Sequence, residues 1–209
     1  MAMILDKRSK KPTLDVASEQ AAVGKNAWSV ATSAPDPNAG GKLLRVPTAR
    51  FGTLEVEEDL ILTLPDGLIG FEDSRRYVIV RHDENSAFRW LQSLDAPAVA
   101  LPIVEPGEFR PDYAPILSDA DARALELTEE TPKLVFVIVT VPAHDPRAMT
   151  ANLLGPIVIN GLTRRGKQVI VQNEEYTTRH AIMEELLRAA ALGTAVTATP
   201  RPRETEPAV

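Results

Sequence analysis

Thr150-Ala151-Asn152-Leu153-Leu154-Gly155-Pro156-Ile157-Val158-Ile159-Asn160-Gly161, followed by Lys167-Gln168-Val169-Ile170-Val171-Gln172, is the stretch on which the fold turns. Short β-branched runs bounded by Pro, Asn and Gly mark strands: branched side chains suit a pleated surface, and the bounding residues turn the chain. The polar segment Gly161 to Gly166, which carries Arg164 and Arg165, has the size of an antiparallel hairpin loop. Asn152 and Asn160 bracket the first run. Each amide can turn the chain by bonding its own backbone, or can be presented to a partner.

Upstream, Leu134 to Val141 is a continuous apolar run stopped by Pro142, the pattern of a strand buried on both faces or central to a sheet. Ser118 to Leu127 reads as a short helix. Ser118 suits its N-cap, and Asp119 and Asp121 suit the positive helix start. Pro106 to Ile116, with Tyr113, is a Pro-punctuated connection. Val99 to Val104 contains Pro102, which cannot donate to a ladder, so this strand is predicted at an edge or broken there. Phe88 to Leu94 and Arg76 to Arg81 are further strands, and Trp90 is expected in the core with its N–H needing an acceptor.

Leu43 to Val46 and Phe51 to Val56 form the first strand region, with Leu54 and Val56 alternating with Glu55 and Glu57. Glu57-Glu58-Asp59 reads as a turn and Leu60 to Leu64 as the return strand. Pro65-Asp66-Gly67-Leu68-Ile69-Gly70-Phe71-Glu72-Asp73 places apolar bulk inside a loop. Either Leu68 and Ile69 plug one end of a barrel, or the loop forms a partner pocket rimmed by Asp66, Glu72 and Asp73.

Downstream, Tyr176 to His180 reads as a last extended piece. Ile182, Met183, Leu186, Leu187 and Ala190 follow helical spacing, with Glu184, Glu185 and Arg188 outside, and this amphipathic helix should end near Gly193. Residues 1–42 and 193–209 have the composition of a disordered N-terminal extension and a disordered C-terminal tail, which leaves 43–192 as one domain. About nine or ten short strands against two short helices predict a mainly β fold, an antiparallel barrel-like or sandwich single domain.

The 209 residues are 44% hydrophobic but only 5% aromatic, so aliphatic side chains must build the core. A net charge of −6 argues against non-specific binding to nucleic acid and permits binding to a basic protein surface. The absence of Cys excludes disulfides and thiolate chemistry. No apolar run has the roughly 18 residues of a membrane helix. No apolar stretch follows Lys7, Arg8, Lys10 and Lys11, so a secretory signal is not expected, and the default is a soluble cytoplasmic protein, taken as a monomer.

The residues do not assemble an enzyme. His82, His144 and His180 lack metal-ligand spacing, and His82-Asp83 has no nucleophile elbow to serve. The pairs within Glu57-Glu58-Asp59, Glu129-Glu130 and Glu174-Glu175 are adjacent, and neighbours on a strand point to opposite faces. Gly67-Leu68-Ile69-Gly70 lacks the Lys-Ser/Thr ending of a phosphate loop. Arg164-Arg165-Gly166-Lys167 could grip a phosphate or a carboxylate, as in a small nucleotide-binding barrel, or could serve as a charged tip against edge-to-edge aggregation, the commoner role. No catalytic residue, cofactor or metal is expected.

Taken together, Phe51-Gly52 with its Val/Glu strand, the Pro65 to Phe71 loop and Tyr77 to Val80 resemble the first half of the flagellar assembly factor FliW family. Thr150 to Asn160, Gly166 to Ile170 and Tyr176 to His180 resemble its second half; the similarity spans roughly residues 44–187. The long leader and the tail depart from the family pattern. The resemblance implies a non-catalytic, cytoplasmic, barrel-like regulator of flagellum biogenesis. It would bind flagellin before export and, once freed, capture the RNA-binding translational repressor CsrA. On that reading Asp66, Glu72, Asp73 and the Glu57-Glu58-Asp59 turn contribute an acidic field toward CsrA. Phe71, Leu153 and the C-terminal helix either line an apolar groove for flagellin or pack the core. Asn152 and Asn160 complete the candidate partner-binding set.

Overall fold

The structure is a computed structural model and describes residues 42–81 and 86–188. The predicted N-terminal extension, the C-terminal tail, the end of the last helix and the His82-Asp83 pair lie outside the described residues.

The chain opens with a hairpin, β1 (Leu43–Thr48) and β2 (Gly52–Glu57), in register from Leu43↔Glu57 to Thr48↔Gly52. Thr48 makes its turn: the hydroxyl donates to the Gly52 carbonyl at 2.8 Å and accepts from the Phe51 N–H at 3.0 Å. This hairpin is a sheet of its own. Val46, Leu54 and Val56 pack on Val78, Val80 and Leu94 of the main sheet.

The main sheet has nine strands: β3 (Leu62–Thr63), β4 (Arg76–Val80), β5 (Arg89–Ser93), β6 (Ala100–Val104), β7 (Lys133–Thr140), β8 (Thr150–Ala151), β9 (Ile157–Asn160), β10 (Gly166–Gln168) and β11 (His180–Ala181). Its order is β3-β4-β5-β6-β7-β9-β10, with β8 joining β7 to β11, and every pairing is antiparallel. The apolar run of β7 is central as predicted, pairing with β6, β8 and β9. The predicted hairpin is β9–β10, in register Gly166↔Ile159 to Gln168↔Ile157.

These runs are apolar throughout because both faces are covered. Ile157 and Ile159 face a cluster with Leu62, Leu64, Leu68, Tyr77 and Phe136. Val158, Val169 and Val171 face the opposite way, onto Val137, Val139 and Leu125. Beside that second cluster lies helix α1 (Asp119–Ala124), capped as predicted: Ser118 Oγ accepts the Asp121 N–H at 3.1 Å.

Three expectations change, and the choice left open at Pro102 is decided. The Leu60 to Leu64 segment does not return along β2; Glu58–Leu60 is a 3-10 turn that redirects the chain, and β3 pairs with β4. Pro102 breaks a ladder instead of placing β6 at an edge, the second of its two expected outcomes. The strand lies between β5 and β7, and its register with β7 covers only Ile103 and Val104, so that ladder begins after the proline. Trp90 is half-buried, with the Arg50 guanidinium 3.6 Å from its ring centroid. Helix α2, over 182–188, buries Ile182 but leaves Met183, Leu186 and Leu187 exposed. No helix among the described residues is long and apolar enough to cross a membrane.

The two ends of the main sheet meet at one point. Thr63 forms an isolated parallel bridge with Arg165, and its N–H donates to the Arg164 carbonyl at 3.0 Å. Pairing goes no further, for a local reason. The Leu64 carbonyl is taken by the Gly67 N–H at 2.9 Å, and Pro65 has no N–H to offer. The sheet is therefore barrel-like with an open seam, not a closed barrel.

Candidate partner-binding site

The loop over 65–73 stands at that seam. Gly67 has φ +70°, and a Cβ there would sit 2.7 Å from Glu72 Cα, so only glycine fits. Gly70, at φ +87°, turns the tip, and the Phe71 N–H returns to the Leu68 carbonyl at 2.8 Å. This backbone sends neighbouring apolar side chains opposite ways. Leu68 enters the core at 1% exposure, as a plug; Ile69 is 65% exposed, which corrects its expected plug role. Phe71 is 38% exposed beside it.

Asp66, Glu72 and Asp73 are exposed around this apolar tip. Glu72 Oε1 accepts the Gly70 N–H at 2.8 Å. That bond, with the N–H of Glu72 itself, holds its carboxyl below the ordinary range, so this carboxylate stays charged.

Gln168 fastens the loop to β10. Its Oε1 accepts the Ile69 N–H at 3.0 Å, and its Nε2 donates to the Gly155 carbonyl at 3.2 Å. The Gly155 N–H in turn donates to Asn152 Oδ1 at 2.8 Å. Asn152 thus sits half-buried behind the loop, holding its own turn. Lys167 lies 3.0 Å from Asp121 and 3.6 Å from Asp66. Its hydrogen bond to Asp121 raises its pKa, which keeps the ammonium charged.

Of the predicted set, Asp66, Phe71, Glu72 and Asp73 share one surface. Leu153 and Asn160 do not reach it. Leu153 is fully buried, and Tyr113 Oη donates to its carbonyl at 2.7 Å. Asn160 is 2% exposed and spent internally. Its Oδ1 accepts from Leu162 N–H at 2.9 Å and Thr163 N–H at 3.2 Å, and its Nδ2 donates to the carbonyls of Leu125 at 2.9 Å and Glu126 at 3.3 Å. Both Asn side chains therefore take the turn role. Of the acidic turn, Glu58 pairs with Lys42 at 3.0 Å. Helix α2 is anchored elsewhere, by Glu185 to Arg110 at 2.8 Å. With Lys167 committed to two carboxylates, Arg164-Arg165-Gly166-Lys167 is not a three-cation phosphate grip. No group of three or more His, Asp or Glu that could hold a metal ion occurs among the described residues.

The sequence alone does not mark Ile69 as a surface residue, Gln168 as the fastener, or Ile170, which is 53% exposed two residues further along the same face. The available signal was a Gln inside a β-branched run, a polar side chain that must find a partner.

The family model described as FliW protein matches residues 45–182. This chain belongs to the FliW family. It is 38% identical over 141 residues to the flagellar assembly factor FliW of Leptospira interrogans serogroup Icterohaemorrhagiae serovar Lai, covering 68% of this chain and 94% of that one. It is 42% identical over 151 residues to the flagellar assembly factor FliW of Desulfitobacterium hafniense, covering 72% and 97%. A crystal structure of the flagellar assembly factor FliW is similar with a TM-score of 0.61 and 34% identity, over 66% of this chain and 96% of that chain. The family assignment and the mainly β antiparallel fold thus agree with the resemblance read from the motifs.

Proposed function

We propose that this flagellar assembly factor works in the cytoplasm by occupying other proteins, without catalysis. It holds flagellin before export, and it captures the RNA-binding repressor CsrA once flagellin has left, releasing flagellin translation. The observation that carries this reading is the loop over 65–73: exposed Ile69 and Phe71 ringed by Asp66, Glu72 and Asp73 on a FliW-family scaffold. A surface that binds RNA phosphates must be basic, and an acidic protein is attracted to it and repels RNA once seated. The export-competent ends of flagellin are amphipathic and unpaired, and apolar contact suits them. The domain limits follow the same reading, with 43–192 as the working unit and both termini outside it.

The test is co-purification of the full chain with flagellin and with CsrA of the same organism, each tested alone. Recovery of both in one-to-one complexes supports the proposal. Recovery of neither at low ionic strength, or turnover of a substrate, removes it.

A further inference from the structure

The seam that leaves the sheet unclosed has a backbone edge with no strand beside it among the described residues. Asn160 N–H donates to the Arg165 carbonyl at 2.9 Å, Val169 N–H to Pro156 at 3.0 Å and Val171 N–H to Leu154 at 3.0 Å. Odd-numbered residues of the 165–171 segment therefore bond toward β9. By the alternation of an antiparallel ladder, Gln168 and Ile170 direct their N–H and C=O groups the other way, into the seam. The seam is closed at both ends: by the Thr63 bond to the Arg164 carbonyl, and by the Gln172 N–H donating to the Ile116 carbonyl at 2.9 Å. Between them β3 cannot follow, because Pro65 and the Gly67 turn end it.

We infer that this slot accepts an extended segment of a partner protein, added as a short strand along Gln168 and Ile170. The side chains around it define the segment's chemistry. Ile170, Ile69 and Ile116 are all more than half exposed. They call for apolar side chains at alternating positions of the guest, since a strand shows one face every second residue. Asp66, Glu72 and Asp73 on the adjacent loop call for lysine or arginine between or beside them. The slot is short, so main-chain bonds set the register and the apolar and ionic contacts supply selectivity. An unpaired edge is normally blunted by charge or proline; here Ile170 stands at its centre. The inference rests on the proposal that the chain acts by holding proteins, and adds how one of them is gripped.

The test is amide exchange by NMR on the full chain with a seven-residue peptide of alternating lysine and valine, blocked at both ends. A glutamate and valine peptide is the charge control. Slowed exchange of the Gln168 and Ile170 amides, with little change at Val169 and Val171 and no binding of the glutamate peptide, supports strand addition. Binding without that alternating protection overturns it, as does equal binding of the glutamate peptide. Protection that rises with protein concentration alone assigns the edge to a second copy and also overturns it. Ile170→Pro removes the seam-facing donor and leaves the bonds of Val169 and Val171 in place; affinity for the lysine peptide should fall at least tenfold. Should that variant unfold, the exchange pattern of the unaltered chain decides. If the peptide binds as stated while flagellin and CsrA do not, the proposed function fails and the slot stands. If folded Ile170→Pro binds both proteins at full affinity, the slot fails and the function stands.

Discussion

Gln168 reaches across the unclosed edge of the sheet to Ile69, accepting its N–H at 3.0 Å, and so joins residues 99 positions apart in the chain. This side chain, the two glycines and buried Leu68 together set the position of the loop that carries the acidic rim. Replacing Gln168 with Ala removes this bond and the one to Gly155. Each is worth about 1 kcal/mol, and the freed Ile69 N–H is exposed enough to find water. Thermal unfolding should shift down by about 2–6 °C. An unchanged melting temperature would mean the loop holds itself.

Gly67→Ala should cost more than Gly70→Ala. Both positions have positive φ, which costs a non-glycine residue about 1–2 kcal/mol. At Gly67 the added methyl also collides with the Glu72 and Phe71 backbone at 2.7 Å, whereas at Gly70 it meets open space. Urea titration of the two variants checks the order; equal losses would show that the collision relaxes without cost.

Asn160→Ala should destabilise by about 2–4 kcal/mol, because four buried or half-buried backbone groups lose their partner. Its effect on client affinity, measured on the folded fraction, should be small. A large affinity loss at unchanged stability would return Asn160 to the binding surface.

Asp95 gives the fold an acid-sensitive anchor. Burial pushes its pKa up, but the N–H groups of Arg75 and Arg76 and the Arg76 guanidinium outweigh this and hold it below the ordinary 3.8. A carboxyl with a depressed folded pKa adds stability above the unfolded value and loses it as pH falls through the folded value. Asp95→Asn should therefore lower stability at about pH 6, and the gap from the native chain should close below about pH 4. A gap that is constant across that range would place the anchor elsewhere.

How far the sequence reached depended on whether a feature was local. The β9–β10 hairpin was legible because Ile157, Val158 and Ile159 sit between Pro156 and Asn160, and because Gly161 and Gly166 bound the loop. The cap at Ser118 was legible for the same reason. Pro102 left an edge and a break both open, because its cost depends on which neighbour the ladder meets and where pairing starts, which a single strand does not record; the break is what occurs. Ile69 misled because Leu68 and Ile69 are equally apolar; the dihedrals of Gly67 and Gly70 decide which one enters the core. Leu153 and Asn160 stood in a motif that served the fold, and only their burial separated that role from a partner role. Gln168 could be seen to need a partner, but which partner was out of reach, since it lies 99 residues away.

Reversing the charges of Asp66, Glu72, Asp73, Glu57, Glu58 and Asp59 tests the acidic field. Affinity for CsrA should fall by an order of magnitude or more at low salt, and the difference should shrink as salt shortens the screening length to about 10 Å at 0.1 M. Equal affinity before and after reversal would remove the electrostatic part of the account while leaving apolar contact in place.

The most direct measurement is a calorimetric titration of CsrA into the full chain at low ionic strength, with and without saturating flagellin. CsrA should bind the free chain and lose apparent affinity markedly when flagellin is present. Tight capture of CsrA that flagellin leaves untouched, or no heat from either protein, would contradict it.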